Sequence, residues 1–451
     1  MLLSATTLLV DRLTPLVVLV DLLLLGAFVA DYLRTPPPAM IELERRIPAR
    51  VGLSRGFLRV LALSCERARG LRLEAHEEFP APFRVLARTV EGETVGPDGP
   101  FGAEGGDAPN PSGGPDVGIF GEGPLELARS YRSDLRGAFR FGGLRLRLRG
   151  RLGLVERQTR FEGEQEIAVE PALPGLRNTL RLAASDRWQD LGVRMLRRRG
   201  GETEFESLRE YVPGDDKRRV DWKAFARRGK PMVRQYQVER GQELILMIDS
   251  GRRMRITTAL GRKRGWSKLD WAIDAALQLA AVALAKGDRV GCATFDRGLS
   301  TWVVPAKGAR QLTRLSQALF ERQPSPHDAD LARALRELAA RHRRRATVIL
   351  LSDVSDPLSV GLQRRALAAA SGRHRLVFAA LDDPGLRAAA EPVGDSEVPA
   401  SVRATALELM GDRRRSLRSL ATSGARVLDA LPAEAAAPLL AAWLEERRRG
   451  G

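Results

Sequence analysis

Three short runs, ELILMID (residues 243–249), TVILLSD (347–353) and HRLVFAALDD (374–383), are apolar almost from end to end, and each finishes on aspartate. A half-exposed strand alternates apolar with polar residues, so a strand without a polar face must be covered on both sides. Helix-length segments separate these runs: 267–286, with Ser267 suited to an N-cap and Gly287 to a C-terminal stop, then 311–322, 328–344 and 358–371. DRVGCATF and TWVVPA read as further strands. Residues 405–423 read as a helix, GARVLDA as an edge strand and 433–448 as a closing helix. Apolar strands alternating with helices predict an α/β doubly wound parallel sheet over residues 241–451, with ligand positions at the carboxyl ends of the strands.

The half before it follows another rule. GFLRVLALSCERA alternates apolar and polar residues, GGLRLRLRGRL does so strictly with Leu on one face and Arg on the other, and QEIAVEPAL ends at proline. Short strands bounded by turns predict an antiparallel β-sandwich over 35–185. Residues 91–124 are dense in Gly, Pro and Asp, and are expected to form a disordered insertion. Residues 186–240 are charge-dense and are expected to link the two domains. Aromatic residues are only 5% of the chain, so aliphatic cores are expected.

Residues 1–34 are expected to be a membrane anchor. LTPLVVLVDLLLLGAFVADYL (13–33) has 21 residues, 13 of them Leu, Val or Phe. As a helix it spans roughly 31 Å, about one hydrocarbon core. Asp21 is a central cost of ~2.5–3.5 kcal/mol, which the apolar residues offset. Asp31 lies near an end, where charge is cheaper. A cleaved signal peptide and a buried core helix are the rival readings. Arg34, Arg45, Arg46 and Arg50 follow the segment, which puts the rest of the chain on the cytoplasmic side. Whether the apolar residues 1–10 add a second pass stays open.

Net charge is +17, yet only 7 of 73 basic residues are Lys. Arg interspersed with Glu and Asp reads first as a solvated surface. Contact of RMLRRRGG, GRKRG and RHRRR with nucleic acid or anionic lipid is an alternative, and no specific nucleic-acid partner is expected. Cys65 and Cys292 cannot make a disulfide framework or zinc site. His76, His327, His342 and His374 look scattered. No nucleophile–base pair, phosphate-cradling glycine loop or metalloprotease helix is present, so no enzyme and no cofactor are expected.

The aspartates at strand ends are Asp249, Asp353, Asp382 and Asp383. Each is a candidate ligand or, more simply, a cap for the loop that follows. Around the first the chain resembles a von Willebrand factor A domain, whose adhesion site is spaced Asp-x-Ser-x-Ser to give Mg²⁺ hard oxygen ligands. Here the sequence is Asp249-Ser250-Gly251-Arg252-Arg253. Gly251 and Arg253 stand where hydroxyls belong, so the resemblance implies a degenerate site that holds no metal. Asp328 and Asp330 in QPSPHDADL are possible substitutes for a missing Thr ligand. A metal-dependent adhesion module remains a further alternative.

EFESLREYVPGDDKRRVDWKAFARRGKPMVRQYQVER (204–240) is the most specific segment. VPGDD is a turn sequence, and VDWKAFARRG suits a short helix with Asp221 at its head and Trp222 and Phe225 on one face. Phe205, Leu208, Arg209, Glu210, Tyr211, Pro213, Gly214, Asp215, Asp216, Arg219, Asp221, Trp222, Lys223, Ala226, Arg227, Tyr236 and Glu239 closely resemble the signature of domain-of-unknown-function family 58. Arg209, Glu210, Tyr211, Gly214, Asp215, Asp216, Arg219, Asp221, Trp222, Lys223 and Arg227 are candidates for an interdomain clasp or a partner-binding patch. The resemblance implies a membrane-tethered bacterial adaptor or scaffold at the inner membrane, acting with a MoxR-type AAA+ ATPase on protein complexes.

Overall fold

The computed structural model describes residues 14–90, 93–95, 114–171, 204–211, 220, 222–237, 241–257, 266–354, 357–391 and 398–449. Its contacts divide the chain into two units, Met1–Glu170 and Pro171–Gly451. The boundary expected at 185 lies outside the described residues.

The first unit begins with helix α1 (Thr14–Arg34), long and apolar enough to cross a membrane. Most of its apolar side chains are exposed, among them Leu22, Leu23, Leu24 and Leu25. A soluble core helix buries its apolar face, so the buried-helix reading is corrected here.

Next come β1 (Glu42–Arg46), β2 (Arg50–Gly52), β3 (Phe57–Ser64), β4 (Arg72–Glu77), β5 (Phe83–Val90), β6 (Glu93–Val95) and β7 (Asp116–Ile119). They are followed by β8 (Leu125–Ser133), β9 (Gly137–Phe141), β10 (Leu144–Arg149), β11 (Glu156–Phe161) and β12 (Gln165–Glu170). One sheet runs β1-β3-β8-β5-β7-β4-β10-β11, with β6 beside β5; a second runs β2-β12-β9. Pairing is antiparallel except at β5–β7 and β2–β12, which are parallel. In β10 the alternation is obeyed: Leu144, Leu146 and Leu148 are buried and Arg145, Arg147 and Arg149 exposed. The aliphatic expectation holds for the core cluster built on Leu61, Leu73, Leu127 and Leu146, but not where the two sheets meet. Phe57, Phe83 and Tyr131 of the large sheet meet Phe139 and Phe141 of the small one, with ring centroids 5.2–6.3 Å apart. The few aromatic residues are concentrated where two sheets need wide side chains to close the gap.

The expected disordered insertion is also corrected. Residues 96–113 lie outside the described residues, but β7 is a strand in the large sheet, and it delivers a buried carboxylate. Asp116 receives Arg59 at 2.6 Å and Arg129 at 2.6 Å; Arg59 also reaches Glu77 at 2.7 Å. Tyr131 donates its hydroxyl to Glu77 at 3.2 Å. All five side chains are almost wholly buried. Charges this deep are tolerated only as a paired and hydrogen-bonded group.

The second unit contains β13 (Glu204–Glu210), α2 (Trp222–Arg228) and β14 (Met232–Gln237), and then the α/β domain. That domain holds β15 (Glu243–Asp249), α3 (Lys268–Ala285), β16 (Arg289–Phe295), β17 (Leu299–Ala306), α4 (Ala309–Phe320), α5 (Leu331–Arg341) and β18 (Thr347–Ser352). It ends with α6 (Pro357–Ser371), β19 (Arg375–Leu381), α7 (Pro384–Ala390), α8 (Ala400–Ala421), β20 (Arg426–Ala430) and α9 (Ala436–Arg449). The sheet order is β17-β16-β15-β18-β19-β20. All pairings are parallel except β16–β17, so the sheet is mixed rather than wholly parallel. The reason is chain length: residues 296–298 allow a tight reversal but no crossover. Along β15 the side chains divide as a covered strand demands. Leu244, Leu246 and Ile248 pack with α3 and α9; Ile245 and Met247 pack with α5, α6 and α8. Helix α3 is buried from Lys268 to Ala283 and begins with a capping box in which Ser267 and Asp270 exchange backbone hydrogen bonds.

Candidate functional site

In that order β15 is the first strand of the domain and lies between β16 and β18. The chain therefore leaves it in one direction and later returns on its other side. This is the switch point, where loops diverge and a crevice opens beyond the carboxyl ends of the strands. Asp249 stands at the end of β15 and Asp353 just beyond β18; Asp382 follows β19, and Asp429 lies in β20. The sequence expectation that carboxylates gather here holds.

Their partners were not foreseen. Lys268, at the start of α3, is buried, and its ammonium lies 2.8 Å from Asp353 and 3.5 Å from Asp383. Arg413 of α8 reaches Asp353 at 3.0 Å, Asp382 at 3.4 Å and Asp429 at 2.8 Å. Arg387 adds a bond to Asp382 at 2.5 Å. Two buried basic side chains thus stand among four carboxylates. Burial alone would depress Arg413, yet Asp429, Asp353 and Asp382 hold it above its ordinary value.

Asp249 is satisfied separately. It accepts the Gly251 N–H at 2.7 Å and the Ser352 hydroxyl at 2.6 Å. Burial pushes its carboxyl up to about 6 in spite of these bonds. Gly251 is hemmed in: a Cβ there would lie 2.9 Å from the Ala329 nitrogen and 3.1 Å from the His327 oxygen. Ser250 points away, donating its hydroxyl to the Phe295 carbonyl at 3.0 Å. Arg253 is half-buried at the loop's edge. The possible substitutes are engaged elsewhere. Asp328 binds Arg252 at 2.6 Å, and Asp330 caps α5 through the Arg333 N–H at 2.9 Å. The simple capping reading fits Asp249 and Asp383, which caps α7 at the Gly385 N–H; Asp353 and Asp382 are instead ion-paired.

Lys268 carried a usable signal. A cation in the first turn of a helix opposes the helix dipole and needs a compensating anion, and lysine is rare in this chain. Arg413 gave none, because it lies in a run of arginines.

The signature segment forms a separate hairpin. β13 and β14 pair antiparallel from Glu204↔Gln237 to Glu210↔Met232, with α2 in the connection between them. The expected short helix is present. Trp222 is 69% exposed and Phe225 38%, with their rings edge to face at 6.2 Å. Glu210 meets Lys230 at 2.9 Å, and the Tyr211 N–H donates to the Pro231 carbonyl. Lys223 and Arg227 are exposed on α2. Arg209 is in β13, while Gly214, Asp215, Asp216, Arg219 and Asp221 lie outside the described residues.

The histidines are less scattered than expected. His342 and His374 lie side by side with centroids 6.3 Å apart and ring planes tilted by 32°, and His342 lies 3.0 Å from Glu243 at the opposite end of β15. Burial and the neighbouring His342, Arg373 and Arg345 push His374 down to about 4. Burial pushes the Cys292 thiol up to about 12, which leaves it inert as a nucleophile.

Residues 207–421 match the family described as "Protein of unknown function DUF58". The uncharacterized protein Rv1480 of Mycobacterium tuberculosis is 32% identical over 188 residues, covering 41% of this chain and 56% of that protein. The uncharacterized protein YeaD of Bacillus subtilis is 30% identical over 132 residues, covering 28% of this chain and 30% of that protein. The chain thus spans about half the length, or less, of these relatives. Two solved structures align weakly. A cohesin module from a Clostridium perfringens family 33 glycoside hydrolase covers 29% of this chain and 96% of its own, at 12% identity and a TM-score of 0.18. Proximal thread matrix protein 1 of the mussel byssus covers 46% and 48%, at 11% identity and a TM-score of 0.27. Neither bears on the fold or the site. The likeness to the DUF58 family thus lies in residues 207–421, a span that begins within β13 of the signature hairpin.

Proposed function

We propose that the chain is a non-enzymatic adaptor, tethered by α1 to the bacterial inner membrane with its soluble domains in the cytoplasm. In this reading it acts with a MoxR-type AAA+ ATPase to assemble or maintain protein complexes. The observation that carries the proposal is the internal neutralisation of the strand-end crevice by Lys268 and Arg413. Carboxylates already paired with protein cations offer a ligand little net charge, and a site neutralised from within suits docking better than chemistry. The strand order, with one antiparallel edge beside a covered parallel sheet, supports a von Willebrand factor A-like domain. The crowding at Gly251 argues against a metal-dependent adhesion module, because a ligand hydroxyl has no room there.

The exposed Trp222–Phe225 pair, flanked by Lys223 and Arg227, supports the partner-binding role of the signature hairpin. Exposed aromatic side chains with cationic neighbours are the usual anchors of protein interfaces. In α1, the use of Asp31 by the folded β domain favours a retained anchor over a cleaved leader.

The test is co-purification. Tagged full-length chain, solubilised from membranes of its own host, is expected to enrich a AAA+ ATPase over an untagged control. Trp222→Ala/Phe225→Ala is expected to lose that enrichment while keeping its expression level. No ATPase enriched with the wild type would sink the proposal.

A further inference from the structure

We propose that the turn between β10 and β11, led by Leu152 and Leu154, is embedded at the headgroup–acyl boundary of the bilayer that α1 spans. The proposal rests on reading α1 as a membrane span. It begins with Asp31, in the last turn of that helix, where an acid opposes the helix dipole. Asp31 is nonetheless buried, and its carboxylate accepts three backbone N–H groups of the turn: Leu152 at 3.1 Å, Leu154 at 3.1 Å and Val155 at 3.2 Å. Gly150 makes the approach possible, since a Cβ there would overlap the Asp31 carboxylate. Arg157 covers the Tyr32 ring at 4.5 Å and donates to the Tyr32 carbonyl at 3.2 Å. The turn is therefore locked to the end of the helix.

That lock sets its depth. Asp31 lies 17 residues after Thr14, so about 26 Å along the helix, close to the far edge of a hydrocarbon core of about 30 Å. At this level the turn presents Leu152, 58% exposed, and Leu154, 46% exposed. Turn residues in water are normally small or polar, so two free leucines on either side of Gly153 have no reason in a soluble loop. Arg149 and Arg151 are exposed beside them, placed for lipid phosphates, and Tyr32 is an aromatic at the interface.

A depth measurement in vesicles tests this. In full-length Cys65→Ser chain, where Cys292 is buried and unreactive, a fluorophore is attached at Leu154→Cys or, as control, at Glu162→Cys. The control lies beyond the other end of β11, about 20 Å away for six strand residues. The proteins are reconstituted in phosphatidylethanolamine–phosphatidylglycerol vesicles with or without brominated acyl chains, and each sample is also extracted with alkaline carbonate. The expected result is a blue shift and bromine quenching at 154, neither at 162, and resistance to carbonate. Resistance to carbonate without quenching at 154 overturns the embedded turn and leaves the anchor standing. Equal quenching at both positions overturns it too, since the fluorophore alone would then explain the signal. Extraction of the chain by carbonate removes the anchor reading and this inference together.

Discussion

Lys268→Met keeps the length of the side chain and removes its charge. Asp353 then keeps one ion pair, to Arg413 at 3.0 Å, in place of two, and Asp383 loses a contact at 3.5 Å. Breaking a buried ion pair from one side costs ~3–5 kcal/mol, because the surviving charge stays in a dry site. Arg413 still neutralises part of that charge, so the lower end, ~3 kcal/mol, is expected. With a urea dependence of about 2–3 kcal/mol/M for a domain of this size, the unfolding midpoint falls by roughly 1 M. Asp353→Asn in the same chain removes the stranded charge, and the double variant is expected to be ~1–2 kcal/mol more stable than the two single losses summed. The assay is urea unfolding of the detergent-solubilised chain, read by circular dichroism of the Trp266–Trp271 pair. Their rings lie 4.6 Å apart beside Lys268 and report this unit locally. A midpoint shift under ~0.3 M, with additive single effects, would refute the claim that the ammonium holds these carboxylates together.

The remaining predictions concern pH, crowding and the β domain. Asp249 is raised from 3.8 to about 6 by burial, so the folded state holds its proton more tightly and stability from this group is lost as pH rises from about 4 to about 6. Asp249→Asn is expected to remove that slope and to raise stability above pH 6 by up to ~3 kcal/mol, checked by unfolding at pH 4.5, 6 and 7.5. His374, depressed from 6.5 to about 4 by burial, acts in the opposite sense. Its stabilisation is present above pH 6.5 and lost as pH falls toward 4, so His374→Phe is expected to flatten the acid limb of the same curves. Gly251→Ser restores a hydroxyl at a degenerate position but must displace the backbone at Ala329. A loss of ~1–3 kcal/mol from overpacking and no heat of Mg²⁺ binding by calorimetry are expected. In the first unit, Asp116→Ala takes the carboxylate partner from Arg129 and leaves Arg59 with Glu77 alone. A loss of ~3–5 kcal/mol is expected, seen as proteolysis within residues 42–170 at temperatures where the wild type resists.

What the sequence determined by itself was periodic or local. A covered strand has no polar face, so the sheet of the second unit and its strand-end aspartates were legible in ELILMID, TVILLSD and HRLVFAALDD. So were the strict alternation of β10, the cap at Ser267 and the length of α1, because each depends on neighbours within one turn or one strand. Tertiary structure decided everything that depends on residues distant in the chain. Lys268 meets Asp353 across 85 positions, Arg413 meets it across 60, and Arg59 meets Asp116 across 57. No local rule distinguishes a buried arginine from the many solvated ones around it. Asp31 shows the same limit, since a charge that reads as a cheap helix end turned out to organise a turn some 120 residues later. Spacing names the groups that can ionise, but only packing sets the distances and the burial that determine whether each binds a ligand, caps a helix or cancels another charge.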